Sequence, residues 1–308
     1  MSIMRPLLNA YLRWVEKPRL RRTTDPATLR RALEVQAKWM FFSPRGTQQS
    51  WQVLEAGQRR IDALEVVPKN LHNEGVIFYI HGGGFVFGSP RTHAAMVAHL
   101  AKRLGARAVL PQYRLAPEAP FPAAVNDVRA AWDGLLASGV DPSRVIVGGD
   151  SAGGTLALGL LSALAGEGGV LPAGVFCLSP LTDMTFSGES FQKNSDSDVY
   201  LVAERADEMT DMYLNGHSRT NPRISPLLAD FTGAGPVWIT VGDTEILYDD
   251  SRRMAAHLSA SSVDVTLIEK HDLPHVWPIM QALLPEGRQT LDEIAHWVRQ
   301  LPGWPGGN

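Results

Sequence analysis

One serine in this sequence has the flanking residues that nucleophilic catalysis requires. Ser151 lies in the run Gly149-Asp-Ser-Ala-Gly153, between an apolar run and a helix-forming segment. A serine hydroxyl becomes a useful nucleophile when a sharp strand-to-helix turn holds it clear of its own backbone and next to a base. Side chains two residues before and after it would collide across so tight a turn, which explains Gly149 and Gly153. The pattern predicts a nucleophilic serine, with an ordinary glycine-rich turn as the alternative.

Three successive glycines follow a second apolar run. Residues 75–80 are apolar on both faces, as in a strand buried inside a sheet, and His81-Gly-Gly-Gly-Phe85 comes directly after them. Such glycines leave backbone N–H groups uncovered, and stabilising a tetrahedral oxyanion requires such donors. A phosphate-binding loop is the alternative, but the sequence has neither a P-loop pattern nor a dinucleotide-binding glycine pattern with a downstream acid. The predicted donors are Gly83, Gly84 and Ala152, and Gly82 is predicted to shape the turn.

Two acids and two histidines follow the serine where a catalytic base and its acid are needed. On a sheet of this kind the expected order is serine, acid, histidine, each at the carboxyl end of a strand. Asp243 and Glu245 follow one apolar run, and His271 and His275 follow the next. The residues by themselves do not decide which of the two acids or which of the two histidines is catalytic. The other histidines are expected to have surface or packing roles: His72, His93, His99, His217, His257 and His296.

Composition and charge exclude several classes of protein. The 308 residues are 44% hydrophobic with a net charge of −3, so the chain can bury a large core and has no basic field for nucleic acid. Its one cysteine, Cys177, allows neither an internal disulfide nor a cysteine-rich metal site. No run approaches the roughly 18 apolar residues of a membrane span. We expect a cytoplasmic protein with a small-molecule substrate, no metal or organic cofactor and no stable membrane insertion.

Alternating strand and helix patterns predict the scaffold that positions these residues. From residue 75 onward, apolar strand-like runs alternate with helical runs, which indicates right-handed crossovers and a mostly parallel sheet. Two β-like runs at 50–55 and 60–67 precede them with no helix between, so the sheet is expected to begin antiparallel. Ligands should then gather at the carboxyl ends of the strands.

Helical segments outside this alternation predict a cap. Residues 5–22 place apolar and basic residues at helical spacing, in an amphipathic helix that either packs on its own domain or touches a membrane. Asp25-Pro26 then predicts the start of a second helix. The polar segment at 183–221 is too long for a simple connection and predicts a lid. The predicted divisions are cap at 1–45, core at 46–182, cap at 183–221 and core with a C-terminal helix at 222–308.

Five motifs in consistent order resemble the bacterial hormone-sensitive lipase family of carboxylesterases. They are Ile80-His-Gly-Gly-Gly-Phe85, Tyr113-Arg-Leu-Ala-Pro-Glu118, Gly149-Asp-Ser-Ala-Gly-Gly154, Ser225-Pro-Leu227 and Pro274-His-Val276. The resemblance implies an α/β-hydrolase fold, with a mostly parallel central sheet flanked by helices and a helical cap. It also implies a serine carboxylesterase that hydrolyses short- to medium-chain esters through an acyl-enzyme.

The resemblance also implies roles for individual residues. Many members have Asp-Pro-Leu-Arg-Asp at the acid position, and aligning its last aspartate with Asp249 puts Glu245 on the catalytic acid, with Asp243 as the alternative. The Pro-His-Val setting selects His275 over His271. The implied triad is Ser151, Glu245 and His275, the oxyanion hole is at Gly82, Gly83, Gly84 and Ala152, and the supporting motif residues are His81, Asp150 and Tyr113.

Neighbouring motif residues carry further expectations. Asp150 and Tyr113 are expected to support the active-site loops through hydrogen bonds. Arg114 and Glu118 are expected to form an ion pair that holds their turn together. Apolar walls for the substrate are expected from Phe85, Phe87 and Trp277.

Other functions could use the same residues. An amidase or arylformamidase, a lactonase and a deacetylase of acetylated sugars or drugs all remain alternatives with the same triad. Plant gibberellin receptors resemble this family but lack the catalytic histidine, so retention of His275 argues against a small-ligand receptor. Association with a lipid surface through residues 5–22 is a third alternative. Members of the family often form homodimers, and for this chain a homodimer stays open.

Overall fold

An eight-stranded sheet forms the centre of the structure, a computed structural model that describes residues 4–305. The strands are β1 (Gln48–Ala56), β2 (Arg59–Val67), β3 (Val76–Ile80), β4 (Arg107–Pro111), β5 (Val145–Asp150), β6 (Gly174–Leu178), β7 (Val237–Gly242) and β8 (Val265–Lys270). Their order across the sheet is β1-β2-β4-β3-β5-β6-β7-β8. β2 pairs antiparallel with β1 and β4, and all other pairs are parallel. The predicted fold class and the antiparallel start are confirmed.

Helices connect the strands and form the segments outside the sheet. They are α1 (Met4–Tyr11), α2 (Lys17–Arg22), α3 (Pro26–Met40), α4 (Pro90–Leu104), α5 (Ala123–Ala137), α6 (Ala152–Gly166), α7 (Glu189–Lys193), α8 (Ala206–Leu214), α9 (Tyr248–Ala260) and α10 (Pro285–Gln300). A π-helical turn, Leu12–Glu16, joins α1 to α2, so the helix predicted at 5–22 is one helical run with this turn inside it. Asp25 caps α3 as predicted, because its carboxylate accepts from the N–H groups of Ala27 and Thr28.

Alternate residues of β3 belong to two separate hydrophobic cores. Phe78 and Ile80 pack in the core that contains residues of α5, α6 and α9. Ile77 and Tyr79 pack in the core that contains residues of α4 and α10. Successive side chains of a strand point to opposite faces of its sheet, so a strand covered on both faces is apolar throughout. This explains why residues 75–80 form an unbroken apolar run. Packing on both faces also holds the end of β3, from which the glycine-rich loop begins.

The two segments that the sequence assigns to a cap lie against each other. Lys17 Nζ donates to the carbonyl oxygen of Asp198 at 2.7 Å. Arg205 in turn donates to the carbonyl oxygens of Leu20 and Thr23, at 2.8 and 2.7 Å. Lys17 of the first helices and Arg205 of the 183–221 segment thus each bind backbone carbonyls of the other segment. Within that segment the long helix begins at Ala206, and the residues before it form α7, turns and extended chain.

Candidate active site

Ser151 lies on a strained turn between β5 and α6. Its φ of 51° and ψ of −121° are unusual for a residue with a side chain, and such strain is typical of functional sites. The Ser151 N–H donates to the carbonyl oxygen of Leu178 at 2.9 Å, which ties the turn to β6. The hydroxyl is therefore presented at the carboxyl end of the sheet by a backbone that is held in place.

Gly149 and Gly153 are required because neighbouring backbone lies close to both. A β-carbon on Gly149 would lie 2.3 Å from the carbonyl oxygen of Gly153. A β-carbon on Gly153 would lie 2.1 Å from the carbonyl oxygen of Ile80. Both distances are far below van der Waals contact. At Gly149 the clash is across the turn, as inferred from the sequence, whereas at Gly153 it is with the end of β3.

Replacing Gly153 with alanine is expected to lower the free energy of unfolding by about 1–3 kcal/mol, because the start of α6 or the end of β3 must move. Gly166→Ala is the matched control at the other end of α6, where an added β-carbon meets nothing within 4 Å. We expect that control to be neutral or slightly stabilising. Urea denaturation of both variants measures the difference. An unchanged unfolding free energy in Gly153→Ala would contradict the steric argument.

His275 and Glu245 form a buried pair. His275 Nδ1 lies 2.6 Å from Glu245 Oε2, and both side chains are buried. Glu245 Oε1 accepts from the Ser179 hydroxyl at 2.8 Å and from the Gly242 N–H at 2.6 Å. Both carboxylate oxygens are thus engaged, and the carboxylate fixes the orientation of the imidazole ring.

The two residues that the sequence left as alternatives pair with each other. His271 Nδ1 lies 2.8 Å from Asp243 Oδ2, and the His271 side chain is 79% exposed. Asp243 Oδ1 also accepts from the N–H of Asp272 at 2.9 Å. The fold therefore sorts two acids and two histidines into an exposed pair and a buried pair. The geometry favours Glu245 with His275 as the pair that can serve a nucleophile.

The glycine-rich loop presents unpaired N–H groups beside the serine. Among residues 4–305, no hydrogen-bond partner is found for the N–H groups of Gly83, Gly84 and Ala152. The Gly82 N–H, by contrast, donates to Asp150 Oδ1 at 3.0 Å, so Gly82 shapes the loop rather than facing a substrate. Gly83 and Gly84 have φ values of 119° and 57°, which glycine adopts without strain.

Buried polar side chains hold this loop from below. The Tyr113 hydroxyl donates to the carbonyl oxygen of His81 at 2.7 Å, and the two rings stack with centroids 4.3 Å apart. Asp150 accepts from the Tyr79 hydroxyl at 2.7 Å. Burial lowers the pKa of His81 to about 3, so this ring is neutral at ordinary pH. These contacts agree with the supporting role expected for Asp150 and Tyr113.

His93 is a site residue that the sequence did not reveal. Its Nε2 lies 3.3 Å from Asp150 Oδ2, and the ring lines the same cavity as Ser151. Burial lowers the pKa of His93, but the charge and hydrogen bond of Asp150, with the Ser89 carbonyl and the charge of Glu34, together raise it by more, so the net shift is upward. No local signal marks His93, because only the packing of α4 against the sheet brings it to Asp150.

The prediction of an ion pair between Arg114 and Glu118 is wrong. Arg114 instead makes two hydrogen bonds of 2.8 Å to the carboxylate of Asp127 on α5. Glu118 accepts from both terminal nitrogens of Arg30, at 2.8 and 2.7 Å, and Arg30 Nε also donates to the carbonyl oxygen of Val86 at 2.8 Å. Partners from distant helices therefore replace the local pair, and Arg30 ties α3 to the glycine-rich loop.

Ser151 and His275 line one apolar cavity of about 180 Å³. Residues of the N-terminal helical segment from Leu12 to Phe41, of the glycine-rich loop and of the 183–221 segment complete its wall. The ring of Tyr200 stacks on His275 with centroids 6.3 Å apart. The apolar lining includes Leu12, Leu29, Leu33, Phe41, Phe85, Phe87, Leu181, Phe186, Met209, Ile246, Val276 and Ile279.

Phe85 and Phe87 line the cavity as expected, but Trp277 does not. Val276 has a φ of 51°, and after it the chain turns so that Trp277 is fully buried. The Trp277 Nε1 donates to the Thr290 hydroxyl of α10 at 3.0 Å. Trp277 therefore supports the histidine loop from the core.

Two features are absent from the part of the chain that the structure describes. No cluster of three or more histidine, cysteine, aspartate or glutamate side chains that could hold a metal ion occurs in residues 4–305. Over the same residues, no helix has the length and apolar character needed to cross a membrane.

Comparison with known proteins identifies the family. Residues 77–279 match the Abhydrolase_3 family, described as alpha/beta hydrolase fold. An acetyl-hydrolase of Streptomyces hygroscopicus is 37% identical over 227 residues, covering 74% of this chain and 76% of that protein. An esterase of Acinetobacter venetianus is 34% identical over 227 residues, covering 73% and 75% of the two chains.

A solved structure extends the similarity to the whole chain. The crystal structure of an esterase from the bacterial hormone-sensitive lipase family has a TM-score of 0.90 and 37% sequence identity to this protein. The match covers 98% of this chain and 99% of that one, so it includes the helices outside the sheet. With its hydrolase sheet, its strained serine and its buried glutamate and histidine, this chain belongs to the Abhydrolase_3 family and, within it, to the bacterial hormone-sensitive lipase family of carboxylesterases.

Proposed function

We propose that this protein is a serine carboxylesterase that hydrolyses short- to medium-chain esters through an acyl-enzyme intermediate. One observation carries the proposal. The strained Ser151 and the Glu245-paired His275 line a single apolar cavity, beside three N–H groups that have no partner within residues 4–305. A nucleophile, a base with its acid and an oxyanion site are the parts that acyl transfer requires.

The first half of the reaction forms the acyl-enzyme. Ser151 Oγ attacks the ester carbonyl carbon while His275 Nε2 takes the hydroxyl proton. The carbonyl oxygen becomes an oxyanion, which the N–H groups of Gly83, Gly84 and Ala152 stabilise, each such donor typically contributing about 2.7–4 kcal/mol. The tetrahedral intermediate then collapses, and the alkoxide leaves with the proton from His275.

The second half releases the acid. His275 takes a proton from water, the hydroxide oxygen bonds to the acyl carbon, and a second oxyanion forms in the same site. Collapse of this intermediate breaks the bond to Ser151 Oγ, which regains its proton from His275. In both halves the Glu245 carboxylate orients the ring and stabilises its charged form.

The cavity supports a small, uncharged substrate. An apolar cavity of roughly 150 Å³ in another protein stays dry and binds benzene. A lining of leucine, phenylalanine, methionine and isoleucine offers little to a charged group, and the cavity of about 180 Å³ fits a chain of a few carbons. The related acetyl-hydrolase is named for a two-carbon acyl group, which points in the same direction.

The test combines turnover with covalent trapping. We expect the native protein to hydrolyse p-nitrophenyl esters, with kcat/KM highest for acyl chains of about two to six carbons and low for palmitate. An aryl phosphonate should inactivate it with one equivalent of adduct, which peptide mass spectrometry places on Ser151. Absence of ester turnover by the folded protein, or an adduct on another residue, would reject the proposal. Turnover of anilides or lactones at a higher kcat/KM than any ester would replace it with one of the alternative hydrolase activities.

The pH dependence of kcat/KM should follow the titration of His275. Burial lowers the pKa of His275, but the hydrogen bond and charge of Glu245, together with the charges of Asp198 and Asp150, raise it by more, so the pKa is above its ordinary value of 6.5. Since only the neutral ring can accept the Ser151 proton, kcat/KM should rise with pH through a midpoint above 6.5.

The variant Glu245→Gln tests the cause of this shift. Glutamine removes the negative charge while burial of His275 persists, so the midpoint of the residual activity should move to lower pH. The profile is measured with p-nitrophenyl acetate between about pH 5 and pH 9. A midpoint that stays in place or moves upward would contradict the assignment of the shift to Glu245.

A further inference from the structure

Residues 4–42 contain most of the exposed large apolar side chains in the part of the protein that the structure describes. Of thirteen such side chains exposed in residues 4–305, eight lie in this segment. Two of them are tryptophans, Trp14 and Trp39, which are 74% and 73% exposed. Scattered single apolar residues are normal on a protein surface, but this concentration indicates an interaction surface.

The exposed side chains follow the turns of the first helices. Leu7, Tyr11 and Trp14 have the spacing i, i+4, i+7 on the run that begins with α1, and Val15 lies next to Trp14. Val35 and Trp39 lie one turn apart on α3, and Phe42 follows just after that helix. We call these seven residues the apolar platform: Leu7, Tyr11, Trp14, Val15, Val35, Trp39 and Phe42.

None of the platform residues belongs to the hydrophobic cores formed by residues 4–305. Leu8 of α1 and Leu12 of the π-helical turn are the buried apolar residues of this helical run, and they pack with Trp277 and Met280. A helix whose only task is to cover its own core usually has polar residues on the opposite face. Here the helix has a buried stripe and a separate exposed apolar stripe, so the second stripe calls for a partner outside the chain.

Charge on the same segment indicates which partner. Residues 1–45 contain ten lysines and arginines against three acidic residues, a net charge of +7 in a chain whose total is −3. The side chains of Arg22, Lys38 and Arg45 are exposed and have no hydrogen bond or ion pair with other residues of 4–305. A surface with exposed tryptophans and uncompensated cations fits the boundary of an anionic bilayer, where indole rings lie at the headgroup level.

We propose that the apolar platform docks this protein on an anionic phospholipid membrane surface. A second copy of this chain fits less well, because two platforms would bring two segments of net charge +7 together. The platform adjoins the active-site cavity, since Leu12, Leu33 and Phe41 of the same helices line it. Docking by this surface is distinct from ester hydrolysis, and each can fail without the other.

Sedimentation with vesicles tests the docking. The full chain is mixed with sucrose-loaded vesicles of phosphatidylcholine alone or with about 30% phosphatidylglycerol, and the bound fraction is measured after centrifugation. We expect at least about tenfold stronger partitioning onto the anionic vesicles and weaker binding at higher salt. Trp14→Gln with Trp39→Gln should lower partitioning about tenfold, and Arg22→Gln with Lys38→Gln should reduce the preference for anionic vesicles.

Trp51→Gln is the matched control, because Trp51 is also an exposed tryptophan, at 42%, but lies on β1 outside the segment. It should bind vesicles as the native protein does. Native protein that stays in the supernatant, a double tryptophan variant that binds normally, or an equal loss in Trp51→Gln would each overturn the proposal. So would a native dimer, seen by light scattering, that the double variant dissociates while no vesicles are bound. Hydrolysis of soluble p-nitrophenyl acetate, with the circular dichroism spectrum, checks that each variant is folded.

Discussion

Ser151→Ala should lower kcat/KM for p-nitrophenyl acetate by a factor on the order of 10⁶. The alanine keeps the β-carbon that the strained turn already accommodates, so only the nucleophilic oxygen is removed. The unpaired N–H groups and the apolar cavity remain, and a small rate above the uncatalysed reaction should persist. The measurement is steady-state hydrolysis, together with the urea midpoint, which should be unchanged.

Ser162→Ala provides the control for this variant. Ser162 lies on the same helix, α6, and its hydroxyl donates to the carbonyl oxygen of Asp230 at 2.7 Å. This hydrogen bond involves none of the reacting groups. We expect the control to retain native kcat/KM. Retention of more than about one hundredth of the activity in Ser151→Ala would remove Ser151 from the nucleophile role.

Glu245→Ala should lower kcat by a factor on the order of 10⁴ with little change in KM. The reason is that His275 Nδ1 loses the carboxylate at 2.6 Å that orients the ring and stabilises its charged form. Removing the carboxylate also leaves the Ser179 hydroxyl and the Gly242 N–H without their acceptor, which should lower the free energy of unfolding by about 1–3 kcal/mol. Glu245→Gln preserves the shape and separates the catalytic effect from this loss of stability.

Asp243→Ala is the matched control for the acid. Within residues 4–305 the Asp243 carboxylate bonds only to His271 and to the N–H of Asp272, so its removal should change kcat less than about threefold. A loss in Asp243→Ala as large as that expected for Glu245, with near-native kcat in Glu245→Gln, would transfer the acid role to Asp243. Both sets of kcat and KM values come from the same p-nitrophenyl butyrate assay.

The sequence determined the features that depend on short stretches of chain. The serine turn could be inferred because a β-carbon at Gly149 would lie 2.3 Å from the carbonyl oxygen of Gly153, across the turn that holds Ser151. The oxyanion donors could be inferred because the glycine triplet comes directly after β3 and Ala152 is the first residue of α6. The mostly parallel sheet follows from the alternation of strands and helices, since right-handed crossovers leave few other arrangements.

Only the tertiary structure decided the contacts between distant parts of the chain. It paired Glu245 with His275 inside and Asp243 with His271 outside, although all four lie at the ends of the same two strands. It also brought His93 to Asp150, 57 residues away along the chain.

The other contacts that differ from the sequence predictions also depend on how distant parts of the chain pack together. Arg114 pairs with a residue of α5, and Glu118 pairs with a residue of α3. The residue before Trp277 has a left-handed backbone conformation, and the Trp277 ring is buried in the core. Local patterns fix backbone geometry because steric clashes act over a few residues. Side-chain partners depend on which helices pack together, and that packing is set by the hydrophobic cores of the whole fold.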